Sequence, residues 1–219
     1  MSNSLLGTLR DRPLLGDGAM GTQLQEAGLE SGGCGEAWNL DEPDRVVAIQ
    51  RRYVEAGSDC LITNTFGGSR IMLERHTANP DVVGINKAAV EVARRAFGDR
   101  DGFVLGDIGP FGGLMEPYGE ITRAEVDRAF AEQAKALVEA GADAIIVETQ
   151  TVLDEAGAAI AAAKAAGAQC VIASMAFDFT HETHELRTMM GTDPDEAAAF
   201  LEAAGADVLG LNCGTNIDM

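Results

Sequence analysis

One phrase repeats along the chain and restricts its fold more than any other feature. A helix tail runs into Ala-Gly, a small residue and an acid, and a short apolar strand follows that ends in polar residues. Glu55-Ala56-Gly57-Ser58-Asp59 leads into Cys60-Leu61-Ile62-Thr63-Asn64-Thr65, and Glu139-Ala140-Gly141-Ala142-Asp143 into Ala144-Ile145-Ile146-Val147-Glu148-Thr149. Ala203-Ala204-Gly205-Ala206-Asp207 leads into Val208-Leu209-Gly210-Leu211-Asn212-Cys213, and a weaker copy, Ala165-Ala166-Gly167-Ala168-Gln169, precedes Cys170-Val171-Ile172-Ala173-Ser174. Glycine suits a helix C-terminal stop, and short runs of branched residues suit buried parallel strands. Repeated units of this kind predict a (β/α)8 barrel with its chemistry at the strand C-termini.

The spacing predicts strands at 14–17, 60–65, 103–107, 144–149, 170–175 and 208–213, with no hairpin between them. Predicted helices cover 44–56, 69–76, 81–97, 123–139, 153–166 and 194–203. Thr122-Arg123-Ala124-Glu125 is a capping-box signature for the fourth of these. Six βα units fall short of the eight that close such a barrel, so residues 1–219 read as one barrel domain lacking its C-terminal part. Gly16-Asp17-Gly18-Ala19-Met20-Gly21 sits close to a dinucleotide fingerprint but carries Asp where the phosphate would approach, which disfavours an open nucleotide-binding sheet.

A net charge of −19 excludes a nucleic-acid surface and docking on anionic lipid. No apolar run approaches the roughly 20 residues that span a bilayer, and the N-terminus lacks a signal-peptide layout. Cys34, Cys60, Cys170 and Cys213 show no metal-type pairing, so they read as reduced thiols of a cytoplasmic protein. Asp17, Thr65, Asp107, Glu148, Ser174, Asn212 and Cys213 all fall at predicted strand ends, on one face of the barrel. Buried acids converging on one mouth are costly unless a ligand or metal balances them.

These residues lie in segments that, taken in order, carry a resemblance: Asp17-Gly18-Ala19-Met20-Gly21-Thr22, Asn64-Thr65-Phe66, Ile108-Gly109-Pro110 with Glu116-Pro117, Glu148-Thr149 and Gly210-Leu211-Asn212-Cys213. The chain resembles the homocysteine S-methyltransferases, which include the homocysteine domain of cobalamin-dependent methionine synthase and betaine–homocysteine methyltransferase. The resemblance implies a zinc ion that binds homocysteine through sulfur, so that the thiolate accepts a methyl group and becomes methionine. A free alkyl thiol, with a pKa of about 8.5, is little ionised at neutral pH, and zinc removes that obstacle. Cys213 matches the first zinc ligand, and Asp17 and Glu148 match acids that hold the homocysteine amino group. Thr65 matches a position lining the pocket, and Asn212 one that orients the cysteine or the metal's surroundings.

The family's adjacent cysteine pair is absent from these 219 residues. Cys60 and Cys170 begin their strands, at the barrel end opposite Cys213; Cys34 lies on the correct side, in a loop. Methylcobalamin on another domain or a corrinoid protein, betaine and S-methylmethionine all fit as donors. Two alternatives stand beside this reading: a truncated or split-gene fragment that needs a complementary C-terminal chain, and an unrelated barrel lyase using Glu148 as base. His181-Glu182-Thr183-His184-Glu185 spaces its histidines three apart, unlike the four of zinc proteases, and reads as a polar loop. Met175, Met189 and Met190 read as packing residues.

Overall fold

A computed structural model describes residues 4–180 and 185–214. Five parallel strands, β1 (Cys60–Ile62), β2 (Phe103–Ile108), β3 (Ala144–Gln150), β4 (Val171–Thr180) and β6 (Val208–Gly214), pair in that order, and β5 (Glu185–Arg187) pairs antiparallel with the end of β4. Helices α4 (Pro43–Ala56), α6 (Val82–Phe97), α7 (Arg123–Glu139), α8 (Leu153–Ala165) and α9 (Pro194–Ala204) alternate with the strands. The result is part of a (β/α)8-type barrel, with five parallel barrel strands among the described residues. No described helix is long and apolar enough to cross a membrane.

Period-two alternation divides each strand between two environments. Leu61, Val104, Ile145, Val171 and Ala173 face the helices and join Phe130, Leu137, Ile160 and Leu201 in the main core. Cys60, Leu105, Ala144 and Cys170 face the barrel interior, where Leu5 of α1 (Leu5–Asp11) plugs the lower end. Each fully buried aliphatic side chain contributes about 1.5–3 kcal/mol, so this layering fixes the register.

The repeat phrase now acquires a mechanism. Gly57 and Gly205 adopt φ of 111° and 95°, the left-handed stop that a side chain would strain. The acid two residues later clamps the neighbouring strand. The N–H groups of Asp59, Asp143 and Asp207 donate to the carbonyls of Leu15, Val104 and Val171. Their carboxylates accept the N–H groups of those same residues at 2.9, 2.7 and 2.8 Å. Arg12, Arg94 and Lys164 each pair with one of these carboxylates at 2.7 Å.

Leu15 thus occupies the position of a strand start, yet 14–17 is not a strand, which corrects the expectation. The Ile62 N–H that would extend a ladder donates instead to the Asp17 carboxylate at 3.0 Å, so a side chain replaces the backbone partner. The hairpin β4–β5 is a second correction: β4 runs five residues past Met175 and folds back, where strand spacing predicted a loop. The stretch before residue 43 also holds two short helices, α2 (Gly21–Glu26) and α3 (Trp38–Asp41). The helix expected over 69–76 is confined to α5 (Arg70–Leu73), capped by Ser69. The capping box of α7 forms as read, Glu125 N–H to Thr122 Oγ1 and Thr122 N–H to Glu125 Oε2. Met175 is buried, whereas Met189 and Met190 are exposed and do not pack. His181 to His184 lie outside the described residues.

Candidate functional site

The interior face of each strand changes character toward its C-terminal end. Leu105 gives way to Asp107, Ile146 to Glu148, Ile172 to Ser174, and Val208 through Gly210 to Asn212. Two β-bulges then re-aim the last residues. Between the pairs Val147↔Ala173 and Gln150↔Met175, β3 carries two residues, Glu148 and Thr149, against one on β4. Between Met175↔Leu211 and Phe177↔Gly214, β6 carries Asn212 and Cys213 against one on β4. The second residue of each bulge is left-handed, Thr149 at φ 57° and Cys213 at φ 48°. Such backbone costs about 1 kcal/mol or more at each non-glycine, and bulges of this kind turn side chains toward sites.

The bulges place Cys213 beside the acids. Asn212 Nδ2 lies 3.5 Å from Cys213 Sγ, 3.3 Å from Glu148 Oε2 and 2.7 Å from Thr149 Oγ1. Its Oδ1 accepts the Ser174 hydroxyl at 2.6 Å and the Thr149 N–H at 3.0 Å, which fixes the amide orientation. Thr149 Oγ1 also donates to Cys213 Sγ, at 3.7 Å. One asparagine therefore joins thiol, carboxyl and both bulges. The sulfur is exposed and receives two donors.

The acids form the second half of the site. Burial raises Asp17 to about 7; Ile62 N–H holds its Oδ2, while Oδ1 is buried without a hydrogen-bond partner. Asp107 is 2% exposed and lies well above the carboxylate range, chiefly from burial and then from the charge of Glu148. Burial raises Glu148 as well, opposed by its hydrogen bond with Asp107. Acids held this way favour a cation at the mouth.

Thr65 is fully buried. Its hydroxyl donates to the Asp107 carbonyl at 2.8 Å and lies 2.6 Å from Thr63 Oγ1. Gln133 of α7 donates to the carbonyls of Thr65 and Asp107, and Gln50 of α4 to that of Ile62. These amides stand where the β1–β2 ladder ends, so they hold the strand tips that carry the acids. Cys60 and Cys170 lie in the lower plug, where burial pushes their thiols up to about 12 and about 11. Cys34 packs beside Leu73, Val82 and Ile85 and donates to Glu36.

Sequence reasoning listed Asp107 and Ser174 among the strand ends without giving them roles, and it gave none to Thr149, Thr63 or Glu155. Glu155 of α8 is buried and raised to about 7; it accepts the Phe111 N–H at 2.7 Å, beside a hollow of about 430 Å³. Only its place in the first turn of an apolar, alanine-rich helix could have flagged it. No group of three or more His, Cys, Asp or Glu residues among the described ones is arranged to hold a metal ion. The described residues thus offer one sulfur ligand, and a zinc site at Cys213 would draw its other ligands from elsewhere.

A partial (β/α)8 barrel with a thiol, an amide and three acids toward its upper mouth has the architecture of the barrel class, whose enzymes carry their sites at that face. A profile of the homocysteine S-methyltransferase family matches residues 14–219, and the chain belongs to that family of methyltransferases. It is 36% identical to methionine synthase of Mycobacterium leprae over 226 residues, covering 96% of this chain and 18% of that protein. It is 28% identical to mouse (Mus musculus) betaine–homocysteine S-methyltransferase 1 over 208 residues, covering 91% and 48%. The chain therefore spans less than half the length of these relatives. Among solved structures, the apo form of the homocysteine methyltransferase MmuM from Escherichia coli superposes with a TM-score of 0.70 at 21% identity, covering 97% of this chain and 77% of that one. The metallated form of MmuM gives 0.66 at 17% identity, covering 96% of each chain. Both share the barrel.

Proposed function

We propose that this chain binds homocysteine and presents its sulfur to a methyl donor, giving methionine. The observation that carries the reading is the Asn212 junction, which joins an exposed thiol to a carboxyl within one side chain's reach. Asp17 and Glu148 would receive the substrate ammonium, Asp17 through the buried Oδ1 that has no hydrogen-bond partner. Asn212 and Thr149 would hold the Cys213 sulfur by donating to it, leaving it free to ligate. Zinc held by Cys213, with ligands from outside the described residues, would keep a thiol deprotonated at neutral pH. Thr65, Thr63 and Gln133 would keep the strand tips in place rather than touch substrate.

In the reaction a new S–CH3 bond forms as the bond between methyl and donor breaks, its electron pair leaving with the donor. The thiol proton goes to solvent. Methylcobalamin on another domain or protein, betaine and S-methylmethionine are the donors to compare. The test is methionine formation from homocysteine with each donor in turn, in parallel with zinc and homocysteine binding. Binding of both, abolished by Cys213→Ala for zinc and weakened by Glu148→Ala for homocysteine, supports the reading. Homocysteine binding that ignores Asp17 and Glu148 sinks it.

A further inference from the structure

Asp107 is the buried acid that an ammonium clamp of Asp17 and Glu148 leaves without a task. Its backbone is fully engaged. The N–H donates to Thr63 Oγ1 at 2.9 Å, and the carbonyl accepts from Thr65 Oγ1 and Gln133 Nε2. Its side chain is less satisfied: Oδ1 is buried with no hydrogen-bond partner, and the Glu148 carboxyl acts on it from the same interior face of the neighbouring strand β3. Two carboxylates are both acceptors, so neither satisfies the other unless one of them carries a proton.

Among the described residues, the charges that act most strongly on Asp107 are those of other acids. Glu148 faces Asp107 from β3, Glu36 from the loop before α3, and Asp17 from the segment before β1. Tyr53 of α4 faces Asp17, and its hydroxyl donates to the Ala19 carbonyl. These acids crowd a space where a second full charge is expensive.

We propose that Asp107 is a positioning residue that shares one proton with Glu148, aims that carboxyl at the mouth, and releases the proton when an ammonium-bearing ligand binds. The proposal rests on the homocysteine reading for the ligand, but the shared proton belongs to the free protein. An arriving ammonium favours both carboxylates in their charged form, so the proton leaves to solvent and the ligand's charge takes its place. Affinity then rises with pH below neutrality, because binding and deprotonation are linked. The site also discriminates by charge, since a neutral hydroxyl in place of the amine cannot displace the proton.

Two measurements test this on the whole chain. Infrared difference spectra at pH 7 should show a protonated-carboxyl component that both Asp107→Asn and Glu148→Gln remove. A component that survives in each variant, or is absent from the unaltered protein, overturns the proposal. Calorimetry of homocysteine binding in two buffers of different ionisation heat should then count about one more proton released by the unaltered chain than by Asp107→Asn. The variant's affinity should change less between pH 6 and 7, by up to ~10-fold. Equal proton counts and parallel pH profiles overturn the coupling while leaving homocysteine as substrate. A chain that shows the shared component but takes up no homocysteine at any pH retires the homocysteine reading and leaves the shared proton standing.

Discussion

The two ends of this barrel are built from the same residue types and treat them in opposite ways. At the lower end, Asp59, Asp143 and Asp207 each meet a cation and a backbone N–H, and Arg12 holds Asp59 down at about 2. At the upper end, Asp17, Asp107 and Glu148 meet mainly burial and one another, and all are pushed up. The thiols divide likewise: Cys60 and Cys170 are sealed beneath Leu5, whereas Cys213 is exposed and faced by two donors. The lower end uses charge to clamp strands. The upper end leaves charge uncompensated and strains its backbone at Thr149 and Cys213. Uncompensated polar groups lower stability, and a ligand that supplies the missing partner recovers it.

The sharpest way to break this contrast is to exchange thiols for alanine at either end. Cys213→Ala should remove bound zinc and lower methionine formation by about 100-fold or more, as loss of a metal ligand does. Cys60→Ala should leave both unchanged and cost on the order of 1 kcal/mol in urea unfolding. Equal losses of zinc from the two variants would erase the distinction.

Glu148→Ala should come next, raising the homocysteine KM by about 10- to 100-fold, the worth of a charged hydrogen bond, with zinc content intact. Metal analysis alongside steady-state kinetics separates the two effects. Zinc lost in proportion to activity would instead place Glu148 with the metal.

Two stability measurements give smaller effects of opposite sign. Asp17 is raised from 3.8 to about 7 in the folded chain, so keeping it ionised costs folding free energy that grows as pH rises through this window. Asp17→Asn should therefore leave stability unchanged near pH 4 and raise it by roughly 1–2 kcal/mol at pH 8, while weakening homocysteine binding. Asp59 is lowered from 3.8 to about 2, so its contribution is complete above pH 4 and disappears as pH falls toward 2. Asp59→Asn should cost only about 1 kcal/mol at pH 7, since solvent screens the pair with Arg12, and nothing near pH 2. Denaturant titrations across pH decide both, and a gain for Asp59→Asn at neutral pH would refute the clamp.

Much of this was legible in the residues. The repeat placed the starts of β1, β3, β4 and β6 to within a residue, because a glycine stop followed by a branched apolar run has few other uses, and β2 was legible from its own apolar run. Glu148, Asn212 and Cys213 were legible as strand-end residues by the same route. The first segment was not, because Asp17 answers the Ile62 N–H with its side chain, and no sequence pattern distinguishes that from a ladder bond. Nor was the antiparallel pairing of β5 with the end of β4, since strand spacing suggests a loop there.

The sequence by itself determined which residues arrive at the upper mouth, since alternation with period two is a local property of each strand. Tertiary structure alone decided what they do there. The bulges at Glu148-Thr149 and Asn212-Cys213 exist only as mismatches of register with β4, and they bring the sulfur to the amide. The approach of Asp107 to Glu148 likewise requires β2 and β3 to lie side by side. Register and dielectric are properties of neighbours, and a chain read one residue at a time has none.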